Sequence, residues 1–223
     1  VFGAGETIAG WDQRQFTPLF PSYHSLMADL LGLRFIAVPV PIETVDTRLR
    51  LGDLVLVKRT KDAFIYENPR AFPRVMFVPN WQIANFDALI ETGIWPAFNP
   101  RQTVLLEHVP SNPPAQKGSL QASEAHITMP LYRNTAVEIE VSAPQPGFVV
   151  LNGVWHPWWR VTVDGSPKEL LRANVLFRAV RVTSGRHKIR FEFQPFEGAM
   201  DQMTGWWQSA IASRRRAPLH PPT

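Results

Sequence analysis

From residue 146 to 195 apolar and polar positions alternate with a period of two, the mark of strands that bury one face. The stretch reads PGFVVLNGVWHPWWRVTVDGSPKELLRANVLFRAVRVTSGRHKIRFEFQP, and Phe148, Val150 and, more loosely, Trp155 alternate with their neighbours. Trp159, Val161 and Val163 then alternate with Arg160, Thr162 and Asp164. Asp164-Gly165 follows at once, and this dipeptide suits the positive φ of a tight hairpin turn. Leu170 and Leu171 precede a further alternation over Val175 to Val182, and Ser184-Gly185 supplies the next turn. His187 to Phe193 closes the set, with Ile189, Phe191 and Phe193 on one face. Four or five strands are predicted, and a sheet this regular has to bury one face against a second sheet or a helix.

Upstream the pattern is mixed. Ser22 or Ser25 caps a short helix through about Leu31, with Leu26, Met27, Leu30 and Leu31 on one face and Gly32 ending it. LRFIAVPV reads as a buried strand stopped by Pro39 and Pro41. Leu54 to Arg59 and Ala63 to Tyr66 form a hairpin across Thr60-Lys61-Asp62, and Phe72 to Val78 is a strand expected to add to the same sandwich as the later ones. Ile83 to Thr92 has helical spacing, with Ile83, Phe86, Leu89 and Ile90 inward and Gly93 as its stop; Val104 to Val109 returns to strand. PSNPPAQKG, 110–118, resists helix and sheet and reads as a linker. Leu120 to Thr128 and Ala136 to Val141 alternate and join the later strands. In the tail, Met200, Met203, Trp207 and Ile211 fall in phase for one more helix, and RRRAPLHPPT is expected to be disordered. The expected class is α+β, predominantly β: a jelly-roll-like antiparallel β-sandwich over 118–197, a helix-containing α/β-like part over 1–110, and a short helix with a basic tail over 198–223.

The segments PGFVVLNGVWHPWWRVTVDG, RANVLFRAV and SGRHKIRFEFQPFEG also carry a resemblance. They are similar to the C-terminal extracytoplasmic domain of YfhO-like bacterial membrane proteins, large polytopic proteins related to C-type glycosyltransferases. The family pattern has a Tyr-Tyr-Pro-Gly-Trp-like segment, a Val-Asp-Gly turn, an Ala-Asn…Phe-Arg strand and a Gly-x-His turn. This chain departs from it at Trp155-His156-Pro157-Trp158-Trp159, where Pro-Gly-Trp is commoner, and at Asn152, where Asp is common. LLGLRFIAV and YENPRAFPRVMFV also look like family segments, so the resemblance covers about two thirds of the chain. It implies a periplasmic-face domain attached to a membrane part that lies N-terminal to Val1 and carries the catalytic acid. The implied partners are that membrane part and a glycan or lipid-linked sugar.

Composition adds bounds. A chain of 223 residues forms one large domain or two small ones, and 45% hydrophobic with 19% charged residues supports a packed core rather than disorder. The 21 prolines favour turns and edges over long helices. Three of the net +4 charges belong to Arg214, Arg215 and Arg216, so the body of the chain is close to neutral. No basic stripe with interleaved aromatics marks a nucleic-acid surface. The absence of cysteine excludes disulfides, thiolate catalysis and Cys-ligated metal. No run of eighteen apolar residues occurs, and the start at Val1 suggests a piece of a longer protein. Gly3, Gly5 and Gly10 lack the spacing of a dinucleotide loop, and this N-terminal stretch reads as a flexible or docking arm.

For chemistry, His24, His108, His126, His156, His187 and His220 show no i, i+4 pair on a helix and no metalloprotease motif, so no metal or cofactor is expected. Asp164 is a turn former with no paired acid of the glycosidase kind. The site-like feature is aromatic: Trp155 and Trp158 beside His156 make either a packed end of the sandwich or an exposed platform on which a sugar ring stacks. Asn152 and Asn174 would add polar contacts. In Tyr66-Glu67-Asn68-Pro69-Arg70, Arg70 or Arg74 can pair with Glu67. Two functions follow. One is a non-catalytic extracytoplasmic domain that binds glycan or docks on its own membrane part. The other is a free-standing soluble carbohydrate-active hydrolase.

Overall fold

The computed structural model describes residues 18–114 and 125–195. The N-terminal arm, the start of the strand expected from Leu120, and the tail helix with its basic end lie outside the described residues. The elements are α1 (Leu26–Leu30), β1 (Phe35–Val38), α2 (Ile42–Val45), β2 (Val55–Arg59), β3 (Phe64–Glu67), β4 (Val75–Val78), β5 (Asn80–Ile83), α3 (Phe86–Thr92) and β6 (Thr103–Leu106). After the linker come β7 (His126–Tyr132), β8 (Ala136–Ala143), β9 (Gly147–Leu151), β10 (Trp159–Val163), β11 (Ser166–Lys168), β12 (Leu171–Ala173), β13 (Phe177–Val182) and β14 (Gly185–Phe193). The fold is α+β and mostly β, a sandwich of sheets with few helices.

One layer is a five-stranded antiparallel sheet in the order β11-β10-β14-β8-β7. The other is a six-stranded sheet in the order β4-β9-β13-β12-β6-β5. Val149, Leu151, Val180 and Val182 of the six-stranded sheet pack on Val137, Ile139, Val161, Ile189 and Phe191 of the five-stranded one. Its opposite face is covered too: Phe148, Val150, Phe177 and Ala179 share a second core with Met27 and Leu30 of α1 and Phe86 and Leu89 of α3. Burial on both faces explains why all five residues of β9 are buried, where alternation would leave one face polar. Gly147 is required there, since a Cβ would stand 2.6 Å from the Phe77 ring and 2.7 Å from the Val78 carbonyl oxygen.

Strand pairing runs across the Pro110–Gly118 stretch: β4, β5 and β6 lie in one sheet with β9, β12 and β13. The helix expected from Ile83 begins three residues later. Ile83 is held in β5, which pairs parallel with β6 in register Ile83↔Leu106, and Asn85 then caps α3 by accepting from the Ala88 N–H at 3.0 Å. β5, α3 and β6 thus form a strand–helix–strand crossover, the α/β-like element of the N-terminal part. Gly93, at φ +67°, ends α3 as its spacing predicts.

A third, small sheet in the order β1-β3-β2 has its own core of Ile36, Val38, Ile42 and Tyr66. The Tyr66 hydroxyl accepts from the Ile42 N–H of α2 at 3.2 Å. Asp46, just after α2, ties the sheet to the segment before α1. It accepts from the Ser22 hydroxyl at 2.7 Å and the Tyr23 N–H at 2.8 Å. Burial works against its charge, but these bonds and that from the Arg48 N–H win and hold the carboxyl below its ordinary pKa. The expected burial of β1 is corrected: Ile36 and Val38 face inward, while Phe35 and Ala37 are exposed.

Candidate functional site

The aromatic segment leaves β9 and returns at β10. Pro157 is exposed at its tip, the Trp155 N–H donates to the Leu176 carbonyl at 2.7 Å, and the Trp158 N–H donates to His156 Nδ1 at 3.2 Å. His156 stands edge-on to Trp158 at 4.8 Å between centroids and to Phe193 at 5.7 Å. Burial among these rings holds the imidazole below its usual pKa. Trp155 and Trp158 are half-buried, whereas Trp159 is 8% exposed. The indole N–H groups of Trp155 and Trp158 are both buried without a partner, so neither is presented to a sugar hydroxyl.

The two asparagines stand elsewhere in the hydrogen-bond network. Asn152 spends its amide on α1, donating to the Leu30 carbonyl at 2.9 Å. Asn174 is fully buried. Its backbone is left-handed at φ 45°, its Oδ1 accepts from the Leu105 N–H at 2.9 Å, and its own N–H donates to the Leu105 carbonyl at 2.9 Å. It therefore pins the β12–β13 connection to β6 and has no surface to offer a ligand. Of the five residues expected as contacts, only His156 and Trp158 touch as a pair of rings. Trp155 lies instead under the Arg172 guanidinium, 5.8 Å from its ring centroid.

Behind this segment lies a residue that alternation alone does not flag. Arg178 on β13 is 4% exposed, stacks over the Trp159 ring at 3.7 Å, and lies 5.6 Å from the Phe191 centroid. Its Nε donates to the Gly153 carbonyl at 3.3 Å, and its Nη1 has no partner. Burial pulls its pKa down to about 10.

A cleft of about 430 Å³ opens at the end of the sandwich where the β10–β11 and β13–β14 turns meet the loop at Ser111 and Asn112. Asp164 is the turn former that its Asp-Gly setting predicts, with φ 52° followed by 77° at Gly165. It is also a partner. Its Oδ2 accepts from His187 Nδ1 at 2.7 Å and its Oδ1 from the Lys188 N–H at 2.8 Å. The Asp of the Val-Asp-Gly turn and the His of the Gly-x-His turn thus form one clamp. His187 Nε2 is 3.1 Å from both the hydroxyl and the carbonyl oxygen of Thr183, so the ring anchors both turns.

The His187 hydrogen bond, then that from Lys188, lowers the Asp164 pKa. A depressed folded-state pKa contributes stability that is present above the unfolded value, about 3.9, and is lost as pH falls through the folded one. Asp164→Asn should therefore flatten part of the acid-side loss of melting temperature and leave its slope above pH 6 unchanged. The effect should be small, because half of the carboxylate side chain is solvated.

The other surface feature is apolar. Seven of the twelve exposed large hydrophobic residues among those described lie between 35 and 57: Phe35, Val40, Val45, Leu51, Val55, Leu56 and Val57. Phe35, Glu67 and Val55 stand in one row across β1, β3 and β2, and an irregularity between Leu56 and Lys58 turns Val57 outward as well. Leu51 is fully exposed at the tip of a turn closed by Asp53 N–H to the Arg50 carbonyl at 3.0 Å and Arg50 N–H to Asp53 Oδ2 at 2.7 Å. Residues 48–62 carry five cations, Arg48, Arg50, Lys58, Arg59 and Lys61, against Asp53 and Asp62. The YENPR segment behind it is structural. Glu67 pairs with Arg34 at 3.1 Å, while Arg70 and Asn68 both bind Asp29 and Arg74 donates to the Tyr132 hydroxyl at 2.8 Å. The expected Glu67 pairing with Arg70 or Arg74 is thus corrected.

Among the described residues no three His, Asp or Glu side chains come together as a metal site, and no helix is long and apolar enough to cross a membrane. No family model, curated protein or solved structure matches the chain.

Proposed function

We propose that this chain is a non-catalytic domain that docks on a membrane surface through its small sheet, as the extracytoplasmic part of a polytopic protein of the YfhO-like kind. The observation that carries the reading is the exposed apolar face of β1 and β2, with Leu51 at its tip and basic side chains beside it. Water is a poor environment for such a cluster, and burying one leucine fully is worth about 1.5–3 kcal/mol. Each Lys or Arg near an anionic bilayer adds about 1 kcal/mol. Apolar side chains with cations beside them suit the interface of lipid headgroups and acyl chains. Docking there would also hold the sandwich close to the membrane part implied by the resemblance.

Co-sedimentation with phosphatidylcholine vesicles, with and without phosphatidylglycerol, tests this. The chain should bind the anionic vesicles and release in high salt. Leu51→Asp combined with Val55→Asp, which stands in the outward row with Phe35, should weaken binding by at least about tenfold, since two apolar contacts and two charges change together. Both positions are solvated, so the variant should fold as the wild type does. Equal sedimentation of wild type and variant, or none of the wild type, would overturn the reading.

A further inference from the structure

We propose that the cleft between the β10–β11 and β13–β14 turns binds a small hydroxylated molecule carrying one oxyanion, a uronic acid or a sugar phosphate. The charges in the cleft point that way. Among its described lining residues two are acids, and both are engaged: Asp164 with His187 and Lys188, and Glu169 with the Ser111 N–H at 2.7 Å and His108 at 3.2 Å. The two cations among them are not. Among the described residues no side-chain hydrogen bond or close ion pair holds Lys168 or Arg181; Lys168 meets Asp164 only through a longer-range Coulombic attraction, and the Arg181 Nε is buried without an acceptor. A guanidinium whose inner edge is desolvated and unpaired is poorly compensated, and an oxyanion at its outer edge supplies a charge-assisted, two-pronged partner.

The rest of the wall sets the kind of molecule. Asn112 and Ser166 are neutral donors and acceptors matched to hydroxyls, with the Ser111 and Thr183 hydroxyls beside Glu169 and His187, and the exposed Pro167 gives apolar surface for the face of a ring. About 430 Å³ lies within the range of small-molecule sites and holds a monosaccharide with room to spare. This site is separate from the small sheet, so its failure would leave membrane docking untouched, and the reverse also holds.

The test is an NMR titration of the whole chain with glucuronate, glucose 1-phosphate, glucose and inorganic phosphate. The two anionic sugars should shift resonances of the cleft, Arg181 and Thr183 among them, and bind at least about tenfold more tightly than glucose, as expected for a charge-assisted pair. The stronger of the two identifies carboxylate or phosphate as the natural oxyanion. Arg181→Gln should weaken the anionic sugars to the level of glucose, and Lys168→Gln, at an exposed position on β11, should weaken them severalfold with an unchanged fold. Glucose binding as tightly as the anions would overturn the proposal. So would full affinity in the Lys168→Gln and Arg181→Gln variants, inorganic phosphate binding as well as the sugar phosphate, or no shift in the cleft with any ligand.

Discussion

Replacing Trp159 by alanine is expected to cost about 3–5 kcal/mol of unfolding free energy, the range for a large aromatic truncated in a packed core. Trp159 opens β10, pairs in register with Phe193 and is 8% exposed between the two sheets. Its ring meets Phe193 at 5.3 Å and carries the Arg178 guanidinium at 3.7 Å, so truncation removes two stacking partners and opens a cavity beside a buried cation. Trp155 and Trp158 are half-buried, and alanine at either should cost distinctly less because part of each ring is already solvated. Urea unfolding of the three variants checks this ordering. Equal losses at all three would show that the segment packs as one body and that the period of two does not govern it.

Arg178 should separate packing from charge. Burial that pulls the guanidinium down from its ordinary range to about 10 costs about 3 kcal/mol at neutral pH, by the conversion of about 1.4 kcal/mol per pKa unit. Stacking on Trp159 returns about 2 kcal/mol for a desolvated cation–π pair, and the bond to Gly153 returns about 1 kcal/mol more. The two sides nearly cancel. Arg178→Met, which keeps an unbranched apolar stem against the Trp159 ring and removes the charge, should therefore stay within about 1 kcal/mol of the wild type. Arg178→Ala should lose about 2–4 kcal/mol, because the wall behind Trp159 goes with it. A methionine variant as unstable as the alanine one would show that the charge itself holds the sandwich together.

Much of the sandwich is legible in the period of two. Trp159, Val161 and Val163 are buried in alternation, and Asp164-Gly165 turns with two positive φ values, because both signals are local. The hairpin across Thr60-Lys61-Asp62 is local in the same way, closed by the Thr60 N–H to the Ala63 carbonyl at 2.8 Å. What is not legible depends on contacts far apart in sequence. Arg178 sits in an alternating strand at a position that reads as polar, yet sheet and core cover it. Asn174 looks like a surface donor until its tie to Leu105, 69 residues away, is seen. The Asp164–His187 clamp joins two turns whose motifs are each readable, but nothing in either announces the other. At β2 the strand of the hairpin is legible but its exposure is not: Val55, Leu56 and Val57 are all solvated, and hydropathy does not show whether a partner element covers them.

The most direct test of membrane docking uses the lack of cysteine in the chain. Leu51→Cys provides a single attachment point for an environment-sensitive fluorophore at the tip of the small-sheet turn, and Arg186→Cys provides a control at the exposed start of β14 in the sandwich. With phosphatidylglycerol-containing vesicles, the emission at position 51 should shift to the blue and be quenched by nitroxide placed on the acyl chains. The emission at position 186 should stay that of an aqueous probe. An aqueous probe at position 51 when vesicles are present in excess, or equal quenching at both positions, would contradict docking through this sheet.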